Sequence, residues 1–243
     1  MKKLLACLAL FFLISVSYLT YIVFTLPDVQ ALKQNNPTTT ALMEQRAAET
    51  KTKPASVRSW VKYSQISPHL RNAVLIAEDS AFFQHEGLDY QQIRESARRN
   101  WEERRFARGA STITQQLAKN IYLSTSKNPL RKIRELFIAR ELERNLTKQR
   151  IFEIYLNVIE WGDGIYGSER ASQHYFGKPA SALLPEEGAI LAAMIPNPRR
   201  YTPSRNLAYL ERRKATLLSR LAQYSYLPKE EYEQARARPV VFK

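Results

Sequence analysis

The chain opens with one long apolar run. Residues 4–26 contain no charged side chain, and Lys2 and Lys3 stand just before them. As a helix, this run would extend roughly 34 Å at about 1.5 Å per residue, and a bilayer core is about 30 Å thick. The pattern therefore predicts a single membrane-spanning helix, and the two lysines indicate that its N-terminal end lies in the cytoplasm.

A cleaved signal peptide is the alternative to a retained anchor. The apolar region of a signal peptide is about 7–15 residues long and ends at a small-residue cleavage site. Here the run is longer, and it ends at the bulky Phe24 and Leu26 before Pro27 and Asp28. These features favour a retained anchor, with residues 1–27 forming the cytoplasmic tip and the span.

Two further regions follow the anchor. Residues 28–58 are rich in Thr, Asn, Ala and charge and have no sustained apolar period. They predict a juxtamembrane linker with little structure of its own, apart from a short helical piece around residues 41–48. Ordered structure is expected from about Trp60, in one domain that covers residues 59–243.

Apolar positions in this domain recur mainly at helical spacing, so the predicted fold class is mainly α. The first helix begins at Ser67 and Pro68, an N-cap followed by a first-turn proline. Two more begin near Asn128 and Thr147. The side chains expected to face inward are Leu70, Ala73, Val74 and Ala77 in the first, Ile133, Leu136 and Phe137 in the second, and Ile151, Ile154, Tyr155 and Val158 in the third.

The C-terminal half continues the helical pattern, and alternating strand patterns are nearly absent. Residues 161–164 interrupt the helical period with two glycines. Gly177 is placed to end a helix in the left-handed conformation. Further helices are predicted at residues 185–194, 206–222 and 228–236.

The net charge of +14 implies an anionic partner. Nucleic acid, acidic lipid headgroups and a pyrophosphate substrate all fit that sign, and a merely solvated basic surface is the alternative. An anchored chain favours lipid and lipid-linked phosphate over nucleic acid. The single cysteine, Cys7, lies in the apolar run and excludes an intramolecular disulfide, and the three histidines lack zinc-ligand spacing.

Glu78 and Asp79 close the first predicted helix of the domain. Acids at a helix C-terminus oppose the macrodipole by about 0.3–1 kcal/mol each, so a purely structural role would favour other residues. Apolar neighbours such as Ala77 and Phe82 would desolvate a carboxylate and raise its pKa, which suits proton transfer near neutral pH. A solvated acid pair at a frayed helix end remains the alternative.

A second charged group opens the helix that begins near Asn128. Arg131 and Lys132 lie in its first turn, where cations oppose the dipole and a bound anion would reconcile them with it. Glu135 follows at helical spacing, so a surface ion pair worth about 0.3–0.5 kcal/mol is the alternative. Between the two acidic sites, Lys119 and Asn120 follow a helix-like segment with Gln115 and Gln116. The amides suit sugar or acetamido groups, and a polar helix face is the alternative.

These segments resemble, in order, the peptidoglycan glycosyltransferase family, whose members polymerise lipid-linked cell-wall precursor. Its patterns E-D-x-x-F-x-x-H-x-G, G-x-S-T-x-T-Q-Q-x-x-K-N and R-K-x-x-E occur at residues 78–87, 109–120 and 131–135. Ala110 replaces a usual glycine, which should only stiffen its loop. The resemblance continues through residues 148–157, 162–167, 175–178 and 192–198, and the single anchor is similar to the monofunctional Gram-negative branch.

The resemblance implies a lysozyme-like helical domain with a membrane-facing lobe, on the periplasmic side of the inner membrane. It implies elongation of glycan strands from lipid II by β-1,4 transfer, with inversion and release of undecaprenyl pyrophosphate. Glu78 would be the general base and Glu135 a supporting acid, while Lys119, Arg131 and Lys132 would neutralise pyrophosphate. Substrate contacts are expected at Asp79, Ser111, Thr112, Gln115, Gln116 and Asn120.

The implied partners are lipid II, the growing lipid-linked strand and the membrane, with other cell-wall synthesis proteins left open. No protein metal site is implied, although Mg²⁺ or Mn²⁺ would bind the substrate pyrophosphate. Residues 124–127 match Ser-x-x-Lys of penicillin-binding proteins, yet the accompanying Ser-Asp-Asn and Lys-Thr-Gly elements are missing, so peptide crosslinking is rejected. A glycan-cleaving enzyme and a membrane-tethered scaffold without activity are the rival interpretations.

Overall fold

A computed structural model describes residues 2–103, 111–123 and 128–243, and the fold is mainly helical as predicted. The expectations for Gly109, Ala110 and the motif at residues 124–127 lie outside the described residues. The helices are α1 (Lys2–Phe24), α2 (Ala41–Thr50), α3 (Pro68–Glu78), α4 (Tyr90–Glu102), α5 (Ile113–Tyr122), α6 (Pro129–Asn145), α7 (Lys148–Val158), α8 (Ser168–Phe176), α9 (Pro185–Met194), α10 (Pro203–Gln223) and α11 (Lys229–Ala237).

Helix α1 forms from the apolar run. It is long and apolar enough to cross a membrane, and most of its side chains are exposed. Ile22, close to its C-terminal end, is instead fully buried. Helix α1 therefore projects away from the domain for most of its length and joins it through its last turns.

The juxtamembrane segment is more structured than the linker predicted from its composition. Val29 and Leu32 are buried in the main core, around a short 3₁₀ turn at Gln30–Lys33. The helical piece expected near residues 41–48 is present as α2, whose Leu42 and Met43 pack against Tyr166. The apolar residues of the segment are too few to show a period, and only contacts with distant helices reveal that they are buried.

The core brings α3 and α9 together at close range. Every residue of α9 is buried, and it packs against both α3 and α10. A Cβ added at Gly188 would lie 2.9 Å from the backbone nitrogen of Leu70, so only glycine permits this approach. On the other side, α5 packs against α6 and α7. This arrangement fixes the end of α3, where Glu78 lies.

Helix α6 buries a different face from the one predicted. Its buried side chains include Glu135, Ile138 and Leu142, whereas Ile133, Leu136 and Phe137 are only partly buried. The prediction followed the apolar residues alone and therefore missed an inward-facing carboxylate. Of the apolar residues expected to face inward, those of α7 are fully buried, and those of α3 are buried except Ala77, which is half-buried.

The glycine-rich interruption after α7 is a small hairpin. Strand β1 (Glu160–Gly162) pairs antiparallel with β2 (Ile165–Tyr166), and Gly164 adopts a positive φ in the turn between them. Gly177 ends α8 in the left-handed conformation, as predicted. Helix α4 was not predicted. Its apolar residues Tyr90, Ile93 and Trp101 recur at helical spacing, but they are exposed, and none of the residues of α4 is buried.

Candidate active site

The end of α3 delivers Glu78 into a cleft of about 1280 Å³. The cleft is shared by four helices, because α5 contributes Gln116 and Lys119 while α4 and α10 contribute polar and basic side chains. Ser111, just before α5, also lines it. The first and second sequence motifs therefore meet around one cavity.

Glu78 is held in a half-buried position by a relay of neutral groups. Gln116 Nε2 donates a hydrogen bond of 2.8 Å to Glu78 Oε2, and the Tyr155 hydroxyl donates one of 2.9 Å to Gln116 Oε1. Burial raises the pKa of Glu78 above the usual glutamate value, against the opposing effects of the Gln116 bond and of nearby Arg213 and Lys119. Such a carboxylate is suited to accepting a proton near neutral pH.

Asp79, next in the chain, has both oxygens occupied by the protein. His85 Nε2 lies 3.0 and 3.1 Å from its two oxygens, and the Ile113 N–H donates to Oδ2 at 2.9 Å. The Gly87 N–H donates to His85 Nδ1, so the ring proton is on Nε2 and points at Asp79. Asp79 is 1% exposed, and it therefore holds the start of α5 against the end of α3 instead of facing the cleft.

Thr112 and Gln115, two further residues expected to contact substrate, also stabilise the start of α5. Thr112 caps α5, and it forms a reciprocal capping box with Gln115. The Thr112 hydroxyl also donates to the backbone carbonyl of Gly87 at 2.7 Å. Both side chains are buried, so they orient the helix that carries Gln116 and Lys119. Asn120, on the same helix, is buried as well.

Asp79→Asn is expected to lower the free energy of unfolding by about 1–3 kcal/mol, because one buried acceptor becomes a donor facing another donor. The measurement is denaturant unfolding of the purified chain in detergent, followed by circular dichroism. Asp163→Asn is the matched control, since that side chain is 74% exposed and should change stability by less than about 0.5 kcal/mol. Equal stabilities for the two variants would contradict the supporting role.

The third motif forms a compact ion cluster on α6. Glu135 is 2% exposed and accepts from Arg131 Nη1 at 2.6 Å and from Lys132 Nζ. Lys132 Nζ also donates to Ser111 Oγ at 3.0 Å, which joins this cluster to the cleft. Two cations share one buried carboxylate, so the cluster keeps a net positive charge. The cluster is therefore suited to binding an anion.

Lys119 links the two acidic sites electrostatically. Burial lowers its pKa below the usual lysine value, Glu135 and Glu78 oppose this effect, and Arg131 and Lys132 add to it. Lys119 belongs to the second motif, so these electrostatic interactions connect it with charged groups of the first and third motifs. Sequence order alone did not predict this proximity, since the motifs are spread over residues 78–135.

A family model described as transglycosylase matches residues 44–222, more than half of the chain. The chain belongs to the transglycosylase family. Biosynthetic peptidoglycan transglycosylases from two organisms illustrate the similarity within this family. The protein from Laribacter hongkongensis is 46% identical over 226 residues, which cover 92% of this chain and 96% of the relative. The protein from Nitrosospira multiformis is 46% identical over 193 residues, which cover 78% of this chain and 84% of the relative.

One solved structure is also similar to this transglycosylase-family chain. It is penicillin-binding protein 1A from Haemophilus influenzae, which is 32% identical with a TM-score of 0.38. The alignment covers 54% of this chain and 16% of that much longer one. The resemblance stated from the three motifs is thus confirmed at the level of the family by the matched model and relatives.

The cleft of this family member also contains residues that the sequence analysis missed. Helix α10 contributes Tyr209, Arg213 and Arg220, and Tyr224 follows its last residue. Arg213 lies near enough to lower the pKa of Glu78, and its Nε is buried with no hydrogen-bond partner in the described part of the chain. A signal was available, because these four positions fall on one face of a helix with 3.6 residues per turn.

The motif at residues 148–157 serves the scaffold of the cleft. Glu153 accepts from the Trp60 indole at 3.2 Å and from the Tyr63 N–H at 2.8 Å. Asn157 exchanges two hydrogen bonds with the backbone of Val61. These bonds fix the chain where it enters the domain, just before α3. Among the described residues, no group of three or more His, Cys, Asp or Glu side chains is placed to hold a metal ion.

Proposed function

We propose that the chain is a peptidoglycan polymerase that elongates glycan strands from lipid II, with release of undecaprenyl pyrophosphate. The observation that carries this proposal is a desolvated carboxylate in a cleft that Lys119 also lines, with a net-positive cluster joined to that cleft through Ser111. Glu78 is the carboxylate, and Lys119, Arg131 and Lys132 are the cations. The family and the printed names of its close relatives support the same function.

In the proposed reaction, Glu78 accepts the proton of the 4-hydroxyl of the acceptor lipid II sugar. The resulting oxygen attacks the anomeric carbon of the growing chain and forms a β-1,4 bond, as the bond to the pyrophosphate breaks with inversion. Negative charge grows on the departing pyrophosphate, where Lys119, Arg131 and Lys132 stabilise it. Stabilising developing charge in this way is usually the largest single contribution to catalysis.

Glu135 has a supporting role in this proposal. Its two ion pairs hold Arg131 and Lys132 in fixed orientations before substrate arrives, so little reorganisation is needed during the reaction. Ser111 and Gln116, which line the cleft, are proposed to orient the sugars, whereas Asp79, Thr112 and Gln115 support the helix that carries Gln116. Asn120 is buried on that helix and does not line the cleft. A divalent cation bound to the pyrophosphate would add positive charge at the leaving group. That cation would enter the cleft together with the lipid substrate.

The proposed location is the cytoplasmic membrane, with the N-terminus in the cytoplasm and the cleft on the periplasmic side. Helix α1 supports an anchored protein. Large apolar side chains are also exposed on and near α4, namely Phe83, Tyr90, Ile93 and Trp101. We assign this surface to a lobe that faces the bilayer, from which a lipid-linked sugar would enter the cleft.

The direct test is incubation of the full-length purified chain with lipid II alone, followed by separation of the products by size. Polymer whose length grows with time supports the proposal, and its absence under all detergent and vesicle conditions would refute it. A scaffold without activity predicts no product. Crosslinked peptide is not expected, because the accompanying transpeptidase motifs are missing from the sequence.

Arg213→Ala is expected to move the acidic limb of the pH–rate profile to higher pH. Burial already raises the pKa of Glu78, and the charge of Arg213 lowers it. Without that charge the pKa rises further, so less of Glu78 is ionised and able to accept a proton at a given acidic pH. The measurement is kcat/KM for polymerisation across pH, because this ratio reports groups of the free enzyme.

The control for this change is Arg212→Ala. Arg212 is the exposed neighbour of Arg213 on α10 and does not line the cleft. Its removal subtracts the same charge from the chain and should leave the limb in place. Equal shifts in both variants, or none in Arg213→Ala, would argue against a direct electrostatic effect on Glu78.

A further inference from the structure

The outer end of α1 is tied to α6 by side-chain hydrogen bonds. Arg134 Nη1 donates to Thr25 Oγ1 at 2.9 Å, and its Nη2 donates to the backbone carbonyl of Thr25. Further down the anchor, the Tyr18 hydroxyl donates to the backbone carbonyl of Leu130 at 3.3 Å. Ile22, between these two points, is fully buried. The last two turns of the anchor therefore lie along the start of α6.

The bonds to Thr25 meet a specific chemical need. The last carbonyls of a helix have no partner within it and carry partial negative charge, and an unsatisfied carbonyl is costly beside hydrocarbon. The planar guanidinium of Arg134 reaches two oxygens at once. Thr25 Oγ1 donates its own proton to the Tyr21 carbonyl at 2.7 Å, so it is oriented to accept from Arg134. The attachment thus fixes the height of α6 along α1 and the rotation of α1 about its own axis.

The same helix carries the basic cluster. Tyr18 lies eight residues before Leu26, about 12 Å below the outer end of the apolar run at about 1.5 Å per residue. Its contact with Leu130 places the start of α6 below the outer end of the apolar run, on the membrane side of the Arg134–Thr25 attachment. Leu130 is apolar and 47% exposed, as suits that depth, and Arg131 and Lys132 follow it directly.

We propose that Arg134 is a positioning residue that, with Thr25 and Tyr18, sets the depth of the α6 basic cluster at the membrane surface. The inference rests on the proposed function, because it assigns the cluster to the pyrophosphate of a substrate embedded in the bilayer. Arg134 itself binds the anchor and not the substrate. A cluster held at another height would meet the pyrophosphate only if the lipid were lifted or the domain tilted.

Arg134→Ala in the full-length chain separates this role from a local structural one. With full-length lipid II in phosphatidylcholine–phosphatidylglycerol vesicles, KM is expected to rise about tenfold, the scale of one hydrogen bond to a charged group, while kcat stays near wild type. With a short-chain, water-soluble lipid II in detergent, both constants should be unchanged. Arg134→Lys should recover part of the loss, since an ammonium supplies a single point of charge.

Arg140→Ala is the matched control, because Arg140 is an exposed arginine on the same helix. It should behave as wild type with both substrates. Equal losses of Arg134→Ala on vesicle and soluble substrates would overturn the proposal, since they would show general damage to α6. Unchanged kinetics on vesicles would overturn it as well.

A direct depth measurement keeps the inference testable apart from catalysis. Leu130→Cys combined with Cys7→Ser places one fluorophore at the start of α6, and spin-labelled lipids at headgroup and acyl positions report its depth. Arg134→Ala is expected to move the fluorophore outwards, towards water. An unmoved quenching profile refutes the inference even if the wild type polymerises lipid II. A wild type without polymer refutes the proposed function, and the depth result still decides the inference.

Discussion

Glu78→Gln is expected to reduce polymerisation of lipid II by at least about 10²–10⁴-fold, the range typical of general acid–base catalysis. The change keeps the shape of the side chain and an oxygen that can accept from Gln116, but it removes the proton acceptor. Because Glu78 is desolvated in the native chain, losing its charge should leave the fold intact. The measurement is the initial rate of polymer formation, with circular dichroism and thermal unfolding as checks of the fold.

The control for this variant is Glu141→Gln, which removes a carboxylate that pairs with Arg144 on the outer side of α6. It should keep nearly full activity, because surface ion pairs contribute little. Binding of lipid II should survive in Glu78→Gln, since the basic cluster is untouched. A well-folded Glu78→Gln protein with substantial turnover would remove Glu78 from the role of general base.

Lys132→Ala is expected to lower polymerisation by about 10²–10³-fold, the loss typical of removing one group that stabilises developing charge. Lys132 is the cation that bridges Glu135 and Ser111. Its loss both subtracts positive charge from the pyrophosphate site and leaves buried Glu135 with fewer donors. The effect should appear in kcat as well as in KM, because the charge on the leaving group grows during the reaction.

The same variant separates a polymerase from a glycan-cleaving enzyme. Finished glycan carries no pyrophosphate, so a hydrolase would scarcely respond to Lys132→Ala, Lys119→Ala or Arg131→Ala. Two products are measured in parallel, polymer from lipid II and fragments released from purified peptidoglycan. Lys229→Ala, at an exposed position on α11, controls for the loss of one positive charge. Fragment release that survives all three changes, with no polymer from wild type, would establish the rival function.

The long apolar helix and the three motifs can be predicted from the sequence because each consists of residues that lie close together along the chain. An uncharged run of 23 residues predicts a helix long enough to span a bilayer, and α1 has that length. Glu78 is conspicuous because an acid at a helix end opposes the dipole, and Arg131 and Lys132 because cations in a first turn do the same. Family resemblance then gave these residues roles, which remain proposals for the individual side chains.

Tertiary structure decided which of these residues reach the cleft. Asp79 follows Glu78 directly, yet its oxygens bind His85 and the Ile113 N–H, so neighbours in sequence have different tasks. Residues 28–58 were expected to be a linker, and the burial of Val29 and Leu32 depends on helices more than 100 residues away. Local periodicity cannot report such contacts, since it describes only one helix face at a time.

The basic side of the cleft shows the same division. Arg213 lies 135 residues after Glu78, and only the packing of α10 against α3 and α9 brings the two charges together. Likewise, the burial of Glu135 departs from the apolar pattern of α6. Its partners Arg131 and Lys132 lie on the same helix, and the packing of α5 against α6 accompanies the burial of the carboxylate. The sequence by itself determined the long apolar helix, the helical class and the reactive residue types, and tertiary packing decided their positions, the directions of their pKa shifts and their supporting contacts.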